Sequence, residues 1–283
     1  MNKELVQPRV AFQGERGAFS EEAALRLLGE AIQLVPRPTF DSLFAAIPEG
    51  AADYALAPLE NSLAGSVQRS YDLLLESELN IKGEVVIRIS HFLIGCPGAT
   101  FDRVETIESH PVALAQCVRF LAEHKRLRPL ATEDTAGSVA QVILSGDKTR
   151  AAIAGRRAAE IYGGHILREH LEDHRENYTR FALLSSSTEV DDEADKLSLV
   201  MRLPHAAGTL QRALEPFARR GLNLLKIESR PVMGRPWEYY FFLDLQSSIK
   251  DARVADALSE LRGRACEVRI LGCYASSART GAN

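Results

Sequence analysis

The feature that most restricts the fold is an alternation of short apolar runs with segments of helical periodicity, which continues to about residue 185 and then stops. "RVAF" is followed by a segment starting at Ser20, whose hydroxyl can cap a helix while Glu21 and Glu22 suit its positive end. "YALAPLE" leads into "GSVQRSYDLLLES", where helical spacing puts Val67, Tyr71, Leu74 and Leu75 on one face. "EVVIRISHFLIG" sets Val85, Ile87 and Ile89 against Glu84, Val86 and Arg88, the alternation of a strand with one face on a core. "PVALAQCVRFLAEH" and "DTAGSVAQVILSG" read as helices, and the small-residue strand "AAIA" runs into a helix in "GRRAAEIYG". Strand and helix in turn predict an α/β architecture with a largely parallel sheet.

The break comes at "SSSTEVDDEADK", acidic, Ser-rich and poor in large apolar residues, which marks a linker. Beyond it the pattern is strand 197–203, helix 208–220, strands 222–229 and 237–245, helix 251–262 and strand 268–274. That order is βαββαβ, ferredoxin-like, in a small separate domain. A chain of 283 residues has room for two cores. The expected division is 1–185, 186–196 as linker and 197–275, with a disordered tail "ASSARTGAN".

Composition narrows the function. A net charge of -4 and a pI near 6.0 supply no concentrated basic surface, so no nucleic-acid partner is expected. No apolar stretch has the length of a signal-peptide core or a membrane span, so the expectation is a cytoplasmic protein without a membrane partner. Cys96, Cys117, Cys266 and Cys273 have no C-x-x-C spacing and read as free buried thiols. Gly14 and Gly17 are spaced G-x-x-G, neither the dinucleotide fingerprint nor a Walker loop, and no cofactor is indicated. His170 and His174 stand four apart as a helical metal pair does, but lack the H-E-x-x-H glutamate or an obvious third ligand. They read as solvated histidines, and no metal site is expected. His91, inside an alternating strand, reads as a satisfied interior histidine.

Three segments share one design of strand end, loop with Gly and hydroxyls, then helix start: "FQGERGAFSEE", "PLENSLAGSVQ" and "TEDTAGSVAQ". Free amides and a positive dipole end make such helix starts good seats for carboxylates and phosphates. In an open α/β sheet the loops gather at the carboxyl ends of the strands. Each alone is an ordinary capped helix. Three together with the polar strand entrance "NYTRF" point to a pocket for a small anionic ligand.

Taken in order, "GERGAFSEEAA", "PLENSLAGSVQRSYDLL", "ESHPVALAQC", "DTAGSVAQV", "AAIAGRRAAEIYG", "ENYTRF", "GTLQRALEPFARRGLNLLKIESRP" and "WEYYFFLD" resemble prephenate dehydratase fused to a regulatory ACT domain. The resemblance implies a dehydratase domain of two α/β lobes, similar to type II periplasmic binding proteins, with the second lobe at about 82–160 and the active site in the cleft. The ferredoxin-like unit at 197–275 is then the ACT domain. The implied reaction converts prephenate to phenylpyruvate with loss of water and carbon dioxide. The family's essential threonine falls on Thr179. Its two phenylalanine-binding motifs fall on Gly208-Thr209-Leu210-Gln211, where only Gly208 and Leu210 match, and on Glu228-Ser229-Arg230-Pro231, which is intact. Ala18 stands where the family commonly has Thr. "DTAGS" resembles the loop of plant-type enzymes, some of which prefer arogenate.

Prephenate is a dianion whose ring hydroxyl leaves as the ring carboxylate is lost, so aromatisation supplies the drive. The enzyme must orient two carboxylates and assist the departing oxygen. The expected donor is Thr179, with Arg180 as the carboxylate fork, Phe181 as an apolar wall and Glu60 either as a second proton donor or as a structural carboxylate capping the adjacent loop. Amides and side chains at Ser20, Asn61, Ser62, Thr135, Ser138 and Asn177 are expected to hold the substrate. L-phenylalanine is the expected effector, and the expected assembly is a homodimer or homotetramer. The other readings are arogenate dehydratase, or a non-catalytic cytoplasmic anion sensor.

Overall fold

In a computed structural model of the chain, which describes residues 7–265 and 267–277, the first apolar runs become β1 (Arg9–Gln13), β2 (Gln33–Arg37), β3 (Tyr54–Asn61), the two-residue β4 (Gly65–Ser66) and β5 (Asn80–Arg88). With the later strand Tyr178–Ser185 they form one sheet, and β1 lies parallel to both β2 and β3. The middles of β1 and β3 are buried without alternation, as expected of strands covered on both faces. Helices α1 (Phe19–Leu28), α2 (Phe40–Ala45) and α3 (Gln68–Glu76) connect them. On α3 the buried apolar residues are Tyr71, Leu73 and Leu74.

"EVVIRISHFLIG" is two strands, not one. β5 ends at Arg88, and β6 (Phe92–Gly95) opens a second sheet. Between them Glu172 accepts hydrogen bonds from Ser90 Oγ (2.7 Å) and the His91 amide (2.9 Å), which takes the backbone out of the first ladder. The second sheet adds β7 (Thr106–Ser109), β8 (Arg128–Ala131), β9 (Arg150–Ala154) and β10 (His165–Arg168), in the order β10-β6-β9-β7-β8. The second lobe's strands therefore run from Phe92 to Arg168, not from about 82 to 160. This sheet is mixed: β7 is parallel to β8 and β9, while β6 is antiparallel to β9 and β10. The expectation of a largely parallel sheet fails there because β6 and β10 return antiparallel.

"PVALAQCVRFLAEH" is likewise divided, into α4 (Pro111–Ala115) and α5 (Val118–Glu123). Asp173 causes the break, since its carboxylate accepts from the amides of Val118 and Arg119, both at 3.0 Å, and so caps α5 from a distant segment. α6 (Thr135–Ser145) and α7 (Arg156–Tyr162) pack Val139, Val142 and Ala158 on Phe92, Ile94, Ala152 and Ala154 of the second sheet. Residues 169–177 form no helix, so His170 and His174 lack the helical spacing their separation suggested. The return strand is β11 (Tyr178–Ser185).

The chain divides into two compact units, Met1–Ser77 with Val85–Ala182, and Glu78–Glu84 with Leu183–Asn283. The second unit carries β12 (Lys196–Arg202), α8 (Thr209–Arg219), β13 (Leu224–Pro231), β14 (Tyr239–Leu245), α9 (Ala252–Arg262) and β15 (Glu267–Tyr274), the βαββαβ order. Its sheet is antiparallel, ordered β13-β14-β12-β15. Leu197, Leu199, Met201, Leu243 and Leu245 meet Ala213, Phe217, Val254, Leu258 and Leu261 in the core. Lys196 belongs to this unit rather than to the linker. It is buried, starts β12, and its Nζ lies 2.8 Å from Glu84 and 3.5 Å from Asp244.

Cys96, Cys117 and Cys273 are free and buried, as the spacing predicted, and burial pushes the Cys117 thiol far up. Cys266 and residues 278–283 of the tail lie outside the described residues. Among the described residues no helix is long and apolar enough to cross a membrane.

Candidate active site

Within the first unit, a cavity of about 480 Å³ is walled by the starts of α1, α3, α4 and α6 and by β11. That volume suits a small organic ligand. The first wall is Ala18, Phe19 and Ser20. Ser20 is not the cap its sequence position suggested. Ala18 occupies the cap position of α1, and no side chain caps the helix. Of the first-turn amides, that of Glu21 donates to the Ala18 carbonyl at 3.0 Å, while those of Phe19 and Ser20 have no partner among the described residues. Val67 likewise begins α3 with no side-chain cap. α6 starts on Asp134, whose carboxylate accepts from the Gly137 amide, and Thr135 lines the cavity beside it.

The glycines of "GERG" are there for geometry. Gly14 and Gly17 have φ of 106° and 87°, the left-handed region that other residues avoid. A Cβ on Gly17 would sit 2.8 Å from the Ala158 Cα, so the loop rests directly on α7. Glu21 fixes the same contact. Fully buried, it pairs with Arg16 (2.7 Å) and Arg157 (2.8 Å) and accepts from the Gly17 amide (3.1 Å). The sequence suggested only a dipole role for it.

Asn61, at the end of β3, is the polar hub. Its Oδ1 accepts from the amides of Leu63 (3.0 Å) and Ala64 (2.8 Å), and its Nδ2 donates to Asn177 Oδ1 (2.7 Å), Thr179 Oγ1 (2.9 Å) and the Tyr178 carbonyl (3.2 Å). Reversing the amide would face NH2 against two backbone N–H groups, so its orientation is fixed. Thr179 thus accepts through its oxygen, which leaves the hydroxyl hydrogen for the cavity it lines.

The match to the prephenate dehydratase family model covers residues 10–189. The chain belongs to the prephenate dehydratase family. It is similar to arogenate dehydratase/prephenate dehydratase 1 of Arabidopsis thaliana, with 39% identity over 282 residues, 94% of this chain and 71% of the relative. A prephenate dehydratase from Arthrobacter aurescens, solved in complex with L-Phe, superposes with a TM-score of 0.88 at 32% identity, covering 96% of this chain and 91% of the other. A structure described as the quorum-quenching acylase GqqA gives 0.87 at 34% identity, covering 95% and 98%.

Several of the expected site residues lie off the cavity. β-strand alternation turns Thr179 and Phe181 to it and Arg180 away. The Arg180 guanidinium lies instead 3.5 Å from Glu60 and 3.4 Å from the Tyr71 hydroxyl, so neither Arg180 nor Glu60 lines the cavity. Ser62 joins β3 to β11: its Oγ donates to the Glu176 carbonyl and accepts from the Tyr178 amide, both at 2.9 Å. Ser138 turns back to Thr132 Oγ1 (2.6 Å) and the Asp134 carbonyl (2.7 Å). Asn177 is buried behind Asn61. Ser20, Asn61, Thr135, Thr179 and Phe181 do line it.

Among the described lining residues of this prephenate dehydratase family member there is no Lys or Arg. Positive potential for an anion comes from helix starts. The lining also includes His91, His110 and Gln116, which were not among the expected site residues. His110 caps α4 by accepting from the Val112 amide at 3.2 Å. His91 is buried, and burial holds its pKa below the usual histidine value. Its Nε2 lies 2.8 Å from Gln116 Oε1, while Nδ1 has no partner among the described residues. It is not the fully satisfied interior histidine that the alternation implied. The only available signal was its place where a strand pattern runs on too long.

In the second unit, Gly208 starts α8 with φ 75°, and Thr209 Oγ1 donates to the Ala206 carbonyl at 2.8 Å. Leu210 packs against the core from α8. Glu228, Ser229, Arg230 and Pro231 end β13, an edge strand on which Leu225 and Ile227 are exposed.

Proposed function

We propose that the cavity binds prephenate and converts it to phenylpyruvate. The ring carboxylate leaves as carbon dioxide, its bonding electrons enter the ring, and the C–O bond breaks as the departing oxygen takes up a proton to become water. The observation that carries this reading is the Thr179 hydroxyl, held by Asn61 Nδ2 at 2.9 Å so that its hydrogen is left to a ligand. A threonine hydroxyl is too weak an acid to be ionised near neutrality, so it acts as donor or relay as charge develops on oxygen. The amides of Phe19 and Ser20 at the start of α1 and of Thr135 and Ala136 at the start of α6, with the Ser20 and Thr135 hydroxyls, seat the carboxylates. Phe181 and Phe19 wall the ring.

Hydrolysis, the activity in the acylase's name, needs a base within hydrogen-bond reach of the nucleophile. Thr179 has the Asn61 amide there instead. A second reading has an observation of its own. Glu133 and Asp134 line the cavity, and a carboxylate favours an ammonium group, which arogenate carries where prephenate has a ketone. Incubating the protein with each substrate, and following phenylpyruvate by its absorbance in alkali and phenylalanine by chromatography, separates the two. Neither product, with ligand still bound, would leave only the sensor.

The second unit is proposed to be an ACT domain that binds L-phenylalanine through Gly208–Leu210 and Glu228–Pro231 in a cytoplasmic homodimer or homotetramer. Support comes from the βαββαβ order and from the edge strand carrying exposed Leu225 and Ile227. Isothermal titration with L-phenylalanine beside an activity assay tests it. No heat at millimolar ligand would remove the effector role.

A further inference from the structure

We propose that His91 is a positioning residue: its imidazole N–H pins the Gln116 side chain so that the Gln116 amide N–H groups face the cavity and hold a substrate carboxylate. The inference rests on the dehydratase reading for its substrate but not for its geometry.

Hydrogen-bond direction is fixed along the whole Asn61–Asn177–Gln116–His91 chain. Asn61 is fixed by the Leu63 and Ala64 amides, so its Nδ2 is a donor and Asn177 Oδ1 must be the acceptor. Asn177 is therefore oriented with its Nδ2 donating to Gln116 Oε1 at 2.9 Å. Gln116 Oε1 is then an acceptor as well, and the His91 Nε2 at 2.8 Å from it must carry the proton. Two consequences follow. The first is that Nδ1 of the neutral ring is a bare acceptor, and Nδ1 is the atom left buried without a partner among the described residues. Such a group costs stability, so the tautomer is imposed by the network rather than chosen by the ring. The second concerns the other end of Gln116. With both neighbours on its oxygen, its NH2 has no protein acceptor among the described residues, and Gln116 lines the cavity. A doubly charged ligand in a cavity lined by no Lys or Arg needs such neutral donors. Without His91, Gln116 would keep one anchor, Asn177, and could turn its amide away.

The test is the steady-state kinetics of prephenate turnover for His91→Phe, His91→Gln, Gln116→Leu and the His91→Phe/Gln116→Leu pair. Loss of a hydrogen bond to a charged group predicts that His91→Phe raises KM roughly 10-fold or more with kcat much less affected. Gln can offer an N–H near the position of Nε2, so His91→Gln should recover most of that affinity. In the Gln116→Leu background His91→Phe should add almost nothing. A fall in kcat at unchanged KM, a Gln variant as impaired as Phe, or additive losses would overturn the proposal. Nitrogen-15 NMR of the imidazole reads the geometry without any turnover. A protonated Nε2 and bare Nδ1 are expected, and the opposite tautomer would overturn it even if no variant folds. Wild-type protein inactive on prephenate but with this tautomer would instead count against the dehydratase reading.

Discussion

Replacing Thr179 by alanine separates chemistry from folding. The lost hydroxyl accepts one hydrogen bond, from Asn61 Nδ2 at 2.9 Å. That nitrogen keeps Asn177 Oδ1 at 2.7 Å and the Tyr178 carbonyl at 3.2 Å, so no buried donor is orphaned. The structural cost is that of one neutral hydrogen bond, about 0.5–1.5 kcal/mol, which lowers the melting temperature by only a few degrees, about 2–4 °C per kcal/mol. The catalytic cost is larger, because a positioned donor to a leaving oxygen contributes about 10²–10⁴ in rate, roughly 3–5 kcal/mol. Thr179→Ala should therefore lose most of kcat at nearly normal stability, and Thr179→Ser, which keeps the oxygen but not the methyl group that restricts its rotamer, should retain part of it. Phenylpyruvate formation and a circular-dichroism melt measure the two quantities. Near-normal turnover in the alanine variant would remove the hydroxyl from the mechanism, and a serine variant as slow as alanine would show that the methyl group, not the oxygen, is what matters.

Gly17→Ala puts a Cβ 2.8 Å from the Ala158 backbone at a φ of 87°, whereas Gly29→Ala at φ 76° meets nothing within 4 Å. Urea denaturation should show the first costing about 1–3 kcal/mol more than the second; equal losses would refute the close approach. Lys196→Met removes the ammonium from buried Glu84 and Asp244 and should cost about 3–5 kcal/mol, measured by thermal unfolding of the second unit's transition; a shift under about 1 kcal/mol would refute the coupling. For His91, burial lowers the folded-state pKa, so the unfolded chain takes up the proton first. Its stabilising contribution is complete above about pH 6.5 and declines as pH falls toward the folded value, by up to about 1.4 kcal/mol per pH unit. His91→Gln should flatten that part of the stability profile, and an unchanged slope would place its origin elsewhere.

The division between what the sequence determines and what the tertiary structure decides follows from the range of each signal. Period and punctuation are local, so the βαββαβ order, the run of strand-loop-helix segments and the alternation along "YTRFALLS" could all be read from the chain. The same alternation makes Thr179 and Phe181 share a face that Arg180 cannot. Which face meets the cavity is set by Asn61, 118 residues away from Thr179. One apolar run could hide two strands because β5 and β6 have the same period, and the break between them is marked by the bonds of Ser90 and His91 to Glu172, 82 residues from Ser90. His91 and Gln116 acquire their roles through Asn177, 61 residues beyond Gln116, and Lys196 through Glu84, 112 residues before it. Local sequence determines which side chains point the same way. The direction of a hydrogen bond and the partner of a buried charge are decided only when distant segments exclude water together, because outside that contact water satisfies every such group equally well.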